Sequence, residues 1–493
     1  MNQSNNRNLS MVMDLYELTM ANGYFNDGDK ETRVAFDVFY RRNPDKGGFA
    51  IFAGLEQIVE YIENLHFTKE DIEYLRSLNT FTEDFLQYME NFRFGGDIYA
   101  FREGTVMYPG EPIVTIVAPL IDAQLVETAV LALINHQSLI ATKTRRIVKA
   151  AKGKAVSDFG ARRAHNMDAA VYGARAAYIG GASGSATVLA GQMFGIPVSG
   201  TMAHSWVMYY KDEYEAFKHY AENYPDNTVL LVDTYDTLKS GIPNAIRVAK
   251  EVLLPMGKRL KGVRIDSGDL AYLSVKAREM LNEAGLQDCK IVVSNSLDEY
   301  TISSLNSQGA AIDSYGVGER LITGASSAYS DETLSLLGAV YKIAAVEENG
   351  VFVPRIKISE NVEKITNPGL KKVYRVYDQN KKAKADLIAK ADETLDMTQD
   401  LRFVDPNMPW KNLKYTGCSV RELQVKIFEN GKCVYDLPSL EEIRSYVKKQ
   451  LEEEIWEEEQ RLVNPHKHYL DMTPDYYEMK MSLLYESKKN EII

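Results

Sequence analysis

Between residues 262 and 269 the chain reads GVRIDSGD, a short apolar run that breaks into polar residues, and the same shape recurs through the middle of the sequence. KAVSDFG (154–160), IPVSGT (196–201), TVLLVDT (228–234), KIVVSNS (290–296) and AIDSYGVG (311–318) are built alike. Each is short enough for a buried strand and is followed by a helical pattern, with roughly 20 to 40 residues between repeats, the rhythm of βα units and a parallel sheet. A standard barrel closes with about eight such units. The six here predict an incomplete βα barrel over 121–339, with polar strand ends gathered on one face. That is the face on which βα barrels carry their chemistry.

Outward from this core the pattern changes. SMVMDLYELTMANGYF (10–25) reads as a helix opened by Ser10, whose hydroxyl can satisfy an orphan amide. RVAFDVFY (33–40) alternates Val34, Phe36, Val38 and Tyr40 on one face and predicts a half-buried strand. A helical stretch over 53–91 and the β-rich pieces GGDIYAFREG and PIVTIVAP complete an α+β domain over 1–120. A long helical segment from about residue 125 leads into the barrel. Past residue 335 antiparallel strands return, with a hairpin at Asn349-Gly350, where the tight turn needs positive φ. These strands, over 340–390, are expected to rejoin the first domain and make it discontinuous. Residues 391–493 then form a C-terminal extension holding VDPNMPWKN and an acidic helix with Leu440, Ile443, Val447 and Leu451 on one stripe. Its EEEIWEEE run (452–459) predicts a solvated helix face.

Composition narrows the function. The 493 residues carry 57 Lys and Arg against 69 Asp and Glu, a formal charge of -12, so no global positive field favours nucleic acid. Three cysteines, Cys289, Cys418 and Cys433, lack CxxC spacing and fit neither a disulfide framework nor a zinc site, and no protein metal centre is expected. A reducing cytoplasm suits them. The polar N-terminus has no apolar core of a signal peptide, and no run was expected to reach the ~18 apolar residues of a membrane span, so neither export nor a membrane is expected.

The motifs exclude several chemistries. GxxxxGK[ST], HExxH and GxSxG are absent, and GVGERL (316–321) lacks the third glycine of GxGxxG. The adjacent aspartates of the commoner phosphoribosyl diphosphate signature are missing too. What remains is the set of strand ends. Arg264 and Asp266 stand two apart and share a face, either as an internal ion pair or as a cation and a carboxylate for a ligand. Ser294 and Asn295, and Gly316 and Gly318, lie in turns able to offer amides and hydroxyls to a phosphate. Phe159 and Arg162 in DFGARRAH (158–165) could hold a flat anion, or be a buried ring beside a solvated cation. His204 follows the IPVSGT run; a lone histidine is more often structural, but this one shares its rim with the others.

Together, DLYELTMANGYF (14–25), DFGARRAH, YIGGASGSATVLAGQMFGIPVSGTMAHSW (178–206), VRIDSGDL (263–270), IVVSNSLDE (291–299) and GVGERL closely resemble the nicotinate phosphoribosyltransferases. The similarity runs from about residue 10 to about 370, and GTMAHSW with VRIDSGDL is its most specific part. The resemblance implies the type II phosphoribosyltransferase fold, a homodimer with shared active sites, and reaction of nicotinate with phosphoribosyl diphosphate, coupled to ATP hydrolysis with Mg2+. It implies roles as well. Asp266 matches a ribose-binding carboxylate, Arg264 an anion-binding arginine, and His204 a histidine phosphorylated by ATP. Phe159 would stack on the pyridine, Arg162 would face its carboxylate or the phosphates, and Tyr16 from the partner subunit would close the other ring face. Thr201 matches a further ligand contact. Ser294, Asn295, Gly316 and Gly318 match the 5′-phosphate turns, but Glu319 stands where the resemblance leads one to expect threonine, with Thr323 as a substitute. In the nicotinamide enzymes, the runner-up, an aspartate stands where this chain has Ser183, whose hydroxyl would donate to nicotinate or else cap the following helix. A catalytically silent barrel that senses a phosphorylated metabolite is the alternative of another class, and diphosphate release would separate the two.

Overall fold

The computed structural model describes residues 7–326, 336–361, 364–396 and 400–490. The chain divides into two compact units, one made of 1–139 with 336–493 and the other of 140–335.

The first unit is built on a seven-stranded antiparallel sheet in the order Val351–Pro354, Val340–Glu348, Arg33–Phe39, Val114–Pro119, Asp97–Phe101, Gln424–Glu429, Lys432–Cys433. Its first pair turns at Asn349 and Gly350, with φ of 53° and 81°, the left-handed backbone that such a turn demands. The Arg33–Phe39 strand is buried on both faces, where alternation predicted one. Val34, Phe36 and Val38 face the main core, while Ala35 packs with Val117 and Ala345 on the other side. Asp37 can be buried there because Lys371 pairs with it and Thr115 donates to it at 2.7 Å.

Three further expectations need correction in this unit. The first helix begins at Leu15, capped by Asp14, whose backbone N–H donates to Glu17; Ser10 is instead buried and accepts from the His66 amide at 3.0 Å. The tail is no separate extension, since Gln424–Glu429 pairs with Asp97–Phe101 inside the main sheet. The EEEIWEEE run is solvated only in part: Glu452, Glu453, Glu457 and Glu458 are exposed as expected, but Glu454 and Glu459 are not. Glu454 is 8% exposed and accepts from Arg421 and Tyr377, and Glu459 is 2% exposed and accepts from Tyr108 at 2.6 Å beside His468. Donors from Tyr108, Tyr377 and Arg421, remote in sequence, make burial of the charges tolerable.

The second unit holds a six-stranded sheet in the order Gly184–Ser185, Ala155–Asp158, Ser314–Val317, Lys290–Val293, Gly262–Ile265, Val229–Leu231, parallel throughout. The strand expected at 196–201 contributes only a bridge, Val198 to Ser185, and the two-residue strand Gly184–Ser185 takes the ladder position beside Asp158. One span, Leu120–Ala150, does reach the length and hydropathy of a membrane crossing, but 61% of its most apolar window is buried inside the protein, as in a core helix.

Candidate functional site

Parallel strands put their carboxyl ends on one side, and this sheet brings four polar ends together. Arg264, on the Gly262–Ile265 strand, donates from three nitrogens to three residues. Nη2 reaches Asp266 Oδ1 at 2.7 Å, Nε reaches Ser294 Oγ at 2.8 Å and Nη1 reaches Thr201 Oγ1 at 2.9 Å. Ser294 Oγ in turn donates to Asp266. Burial resists ionisation of Asp266, but the hydrogen bonds from Ser294 and Arg264 and the nearby Arg264 and His204 outweigh it, holding the carboxyl below its usual range. It stays an anion near neutral pH. The Arg264–Asp266 pair is therefore both internal and still accessible, since the Asp266 side chain keeps 30% of its surface exposed.

His204 opens the short helix His204–Tyr209. Its Nε2 lies 3.9 Å from Asp266 Oδ2 and its Nδ1 lies 3.1 Å from Thr234 Oγ1. Phe159 follows the Ala155–Asp158 strand, with its ring 5.5 Å from the Arg264 guanidinium carbon. Gly316 explains how the ring fits: a Cβ built there would stand 2.4 Å from it. Buried Asp158 fixes the start of this loop, accepting from the Gly160 amide at 2.8 Å and from Ser185 Oγ at 2.7 Å. Burial pushes its carboxyl up against those bonds.

The remaining residues fall less centrally. Ser294, matched to a phosphate turn, spends its hydroxyl on Asp266 and Arg264, and Gly316 lies within the Ser314–Val317 strand, where its lack of a side chain admits Phe159. Asn295 and Ser296 are exposed with φ of 92° and 47°, a left-handed pair that points successive amides into a turn. Gly318 precedes the turn Glu319–Ile322, and Thr323 closes it, its hydroxyl donating to the Glu319 carbonyl at 2.7 Å. Arg162 is exposed in the turn Ala161–Arg163. Ser183 does not cap the next helix, where Thr187 takes that place; its hydroxyl donates to the Val156 carbonyl at 2.9 Å and lies 3.2 Å from Ser157 Oγ. Tyr16 belongs to the other compact unit, 43% exposed on the Leu15–Asp27 helix. Burial, and then Glu127, push its phenol up. Sequence reasoning missed Asp233 and Thr234, although TVLLVDT was among the strand ends. Asp233 Oδ2 accepts from the Asp266 amide at 3.0 Å and from Ser267 Oγ at 2.5 Å.

An ionised carboxylate, a guanidinium, hydroxyls and an imidazole gathered beside the ends of parallel strands supply the acceptors and cation that suit one class of ligand, polyhydroxylated anions. Comparison narrows the class. Family models described as the nicotinate phosphoribosyltransferase N-terminal domain, family and C-terminal domain match residues 11–135, 154–381 and 370–480. The chain is 47% identical to the nicotinate phosphoribosyltransferase of Bacillus subtilis (strain 168), over 97% of this chain and 96% of that one. It is 33% identical to the Dictyostelium discoideum protein of the same name, over 97% and 88%. The crystal structure of human nicotinic acid phosphoribosyltransferase superposes with a TM-score of 0.84 at 27% identity, covering 96% of this chain and 100% of that one. The chain belongs to the nicotinate phosphoribosyltransferase family.

Proposed function

We propose that this protein joins nicotinate to 5-phosphoribosyl 1-diphosphate, giving nicotinate mononucleotide and diphosphate, as the first step of NAD salvage from nicotinate. The observation that carries the reading is the meeting of Arg264, Asp266 and Ser294, from the ends of two parallel strands, with Thr201 and His204, from the segment between the Val198 bridge and the helix His204–Tyr209. The six-stranded sheet is read as an incomplete βα barrel with this rim as its mouth. In the reaction the pyridine nitrogen forms a bond to ribose C1, and the C1–O bond breaks with its electron pair leaving on diphosphate. C1 is cationic between the two events. Asp266, held ionised, accepts from ribose hydroxyls and faces that positive charge, while Phe159 offers a flat surface to the ring. Arg162, Asn295, Gly318 and Thr323 are placed in this reading around the anionic groups of the substrates.

His204 is the phosphoryl acceptor through which ATP hydrolysis is coupled; the chain lacks a P-loop, and an imidazole nitrogen can take the γ-phosphoryl group. Magnesium enters with the diphosphate group. Among the described residues no cluster of three or more His, Cys, Asp or Glu side chains stands ready for a resident ion. Two copies share their sites, Tyr16 of one closing the pyridine pocket of the other. Exposed apolar side chains on each unit support this: Val12, Leu15, Tyr16 and Met20 on the first, Val188, Leu189, Met208 and Tyr209 on the second. We place the protein in the cytoplasm.

The test offers nicotinate and nicotinamide side by side with phosphoribosyl diphosphate, with and without ATP, and follows diphosphate release. Nicotinate alone should turn over, faster with ATP, and His204→Ala should abolish an acid-labile phosphoenzyme. No diphosphate release with either compound would leave the protein a sensor and overturn the reading; normal labelling of His204→Ala from γ-labelled ATP would overturn the phosphohistidine.

A further inference from the structure

One strand end in the second unit reaches both halves of the site. Asp233 and Thr234 follow the Val229–Leu231 strand. Asp233 is 8% exposed, and its Oδ2 holds the Asp266 amide and the Ser267 hydroxyl. Its Oδ1 is buried without a hydrogen-bond partner among the described residues. Leaving a buried carboxylate oxygen unpaired costs stability, so packing alone does not account for an aspartate here. The adjacent Thr234 places Oγ1 3.1 Å from His204 Nδ1. A threonine hydroxyl both donates and accepts, so it can serve that nitrogen in the neutral and the protonated ring. The two side chains so held, His204 and Asp266, face each other at 3.9 Å.

We propose that Asp233 and Thr234 are positioning residues for phosphoribosyl transfer. Thr234 fixes the rotation of the His204 ring and keeps Nδ1 hydrogen-bonded in either protonation state, and Asp233 fixes the 266–267 turn that aims the Asp266 carboxylate. The proposal rests on the reaction read for this site. It differs from that reading in naming residues that touch no substrate and act through two that do. Because the two residues are adjacent in the chain, one short backbone segment holds both the imidazole and the carboxylate turn. Small errors there are costly: a displacement of about 1 Å from reacting geometry can lower a rate by roughly a hundredfold.

The test uses Thr234→Val, Thr234→Ser, Asp233→Ala and Asp233→Asn in the full chain. Thr234→Val keeps the shape and loses the hydroxyl; kcat should fall about tenfold or more with KM for nicotinate within about twofold. The 15N signals of the His204 imidazole, assigned against His204→Ala, should shift as Nδ1 loses its hydrogen bond. Thr234→Ser should restore both. Asp233→Ala should lower kcat/KM by about a hundredfold, whereas Asp233→Asn, whose amide oxygen accepts the same two bonds, should stay within about tenfold of the unaltered protein. Unaltered kcat together with unaltered imidazole signals in Thr234→Val, or Asp233→Asn as damaged as Asp233→Ala, would overturn the proposal. Should Asp233→Ala fail to fold, the asparagine and valine variants still decide. If the unaltered protein forms no nicotinate mononucleotide, the reaction assigned to the site fails, while the imidazole signals still test what Thr234 does.

Discussion

Replacing Arg264 by lysine keeps the charge and removes the fork. The guanidinium serves Ser294, Thr201 and Asp266 from three separate nitrogens at 2.8, 2.9 and 2.7 Å, and the arginine side chain is only 14% exposed. A lysine ammonium is one point at the end of a flexible stem, and it will keep the carboxylate and release the two hydroxyls. A hydrogen bond from a charged donor contributes about 1.5 kcal/mol at the low end, so two lost bonds amount to about 3 kcal/mol, or roughly a hundredfold in kcat/KM. Part of the loss falls on Asp266 itself. With fewer groups favouring its anion, burial weighs more, and its pKa should rise from the lowered value of the folded protein. The sign follows from that direction. A carboxyl lowered on folding contributes stability at pH above its unfolded pKa and loses it as pH falls through the folded one, so in Arg264→Lys both the acid limb of kcat/KM and the onset of acid unfolding should move to higher pH. Initial rates of diphosphate release with varied phosphoribosyl diphosphate, across pH, and calorimetric Tm measure the two effects. Thr201→Val, which removes one of the three contacts, should fall between. If Arg264→Lys stays within threefold of the unaltered kcat/KM with an unmoved acid limb, the fork does not organise the site.

The other expectations are briefer. Ser183→Asp should depress nicotinate turnover by roughly a hundredfold relative to nicotinamide, because a carboxylate accepts from an amide and repels an acid; an unchanged preference would remove Ser183 from the specificity argument. Gly316→Ala sets a methyl 2.4 Å from the Phe159 ring, so the ring must swing away; KM for nicotinate should rise several-fold, and an unchanged KM would show that the ring does not meet the substrate. Mixing an inactive Tyr16 variant with an inactive Asp266 variant should restore activity in heterodimers that keep one whole site, and none should return if the sites are not shared.

How much of this was legible depended on how local each cause was. Strands such as Lys290–Val293 announce themselves as an apolar run, Ile291, Val292 and Val293, ending in polar residues. Gly184–Ser185 could not, being two small residues whose place in the ladder is set by neighbours at 157–158. The Arg33–Phe39 strand looked half-buried because Arg33 and Asp37 interrupt its apolar residues, yet Asp37 is buried against Lys371, 334 residues further on. Ser10 and Asp14 are both good caps, and only the structure shows that the chain reserves Ser10 for His66.

In the site, Arg264 and Asp266 could be placed on one face because residues two apart on a strand must share it. That Ser294 and Thr201 complete the same hydrogen-bonded group could not be read from spacing, since it depends on which strands are neighbours. The acidic run teaches the same point from outside the site. Six glutamates within eight residues read as solvent-facing, and the reading treats each as having only its sequence neighbours for company. Glu454 and Glu459 instead meet Arg421, Tyr377, Tyr108 and His468, and Glu454 is held below the usual carboxylate range because the Arg421 hydrogen bonds and charge outweigh its burial. Asp233 sits between the two cases. Its strand end was visible, but its role depends on the backbone of residue 266, an acceptor–donor relation that side-chain chemistry in a sequence does not display. Where a carboxylate's partner is another segment's amide, fold must be known before function, and a polar residue at the end of a parallel strand is best tested for what it holds as well as for what it binds.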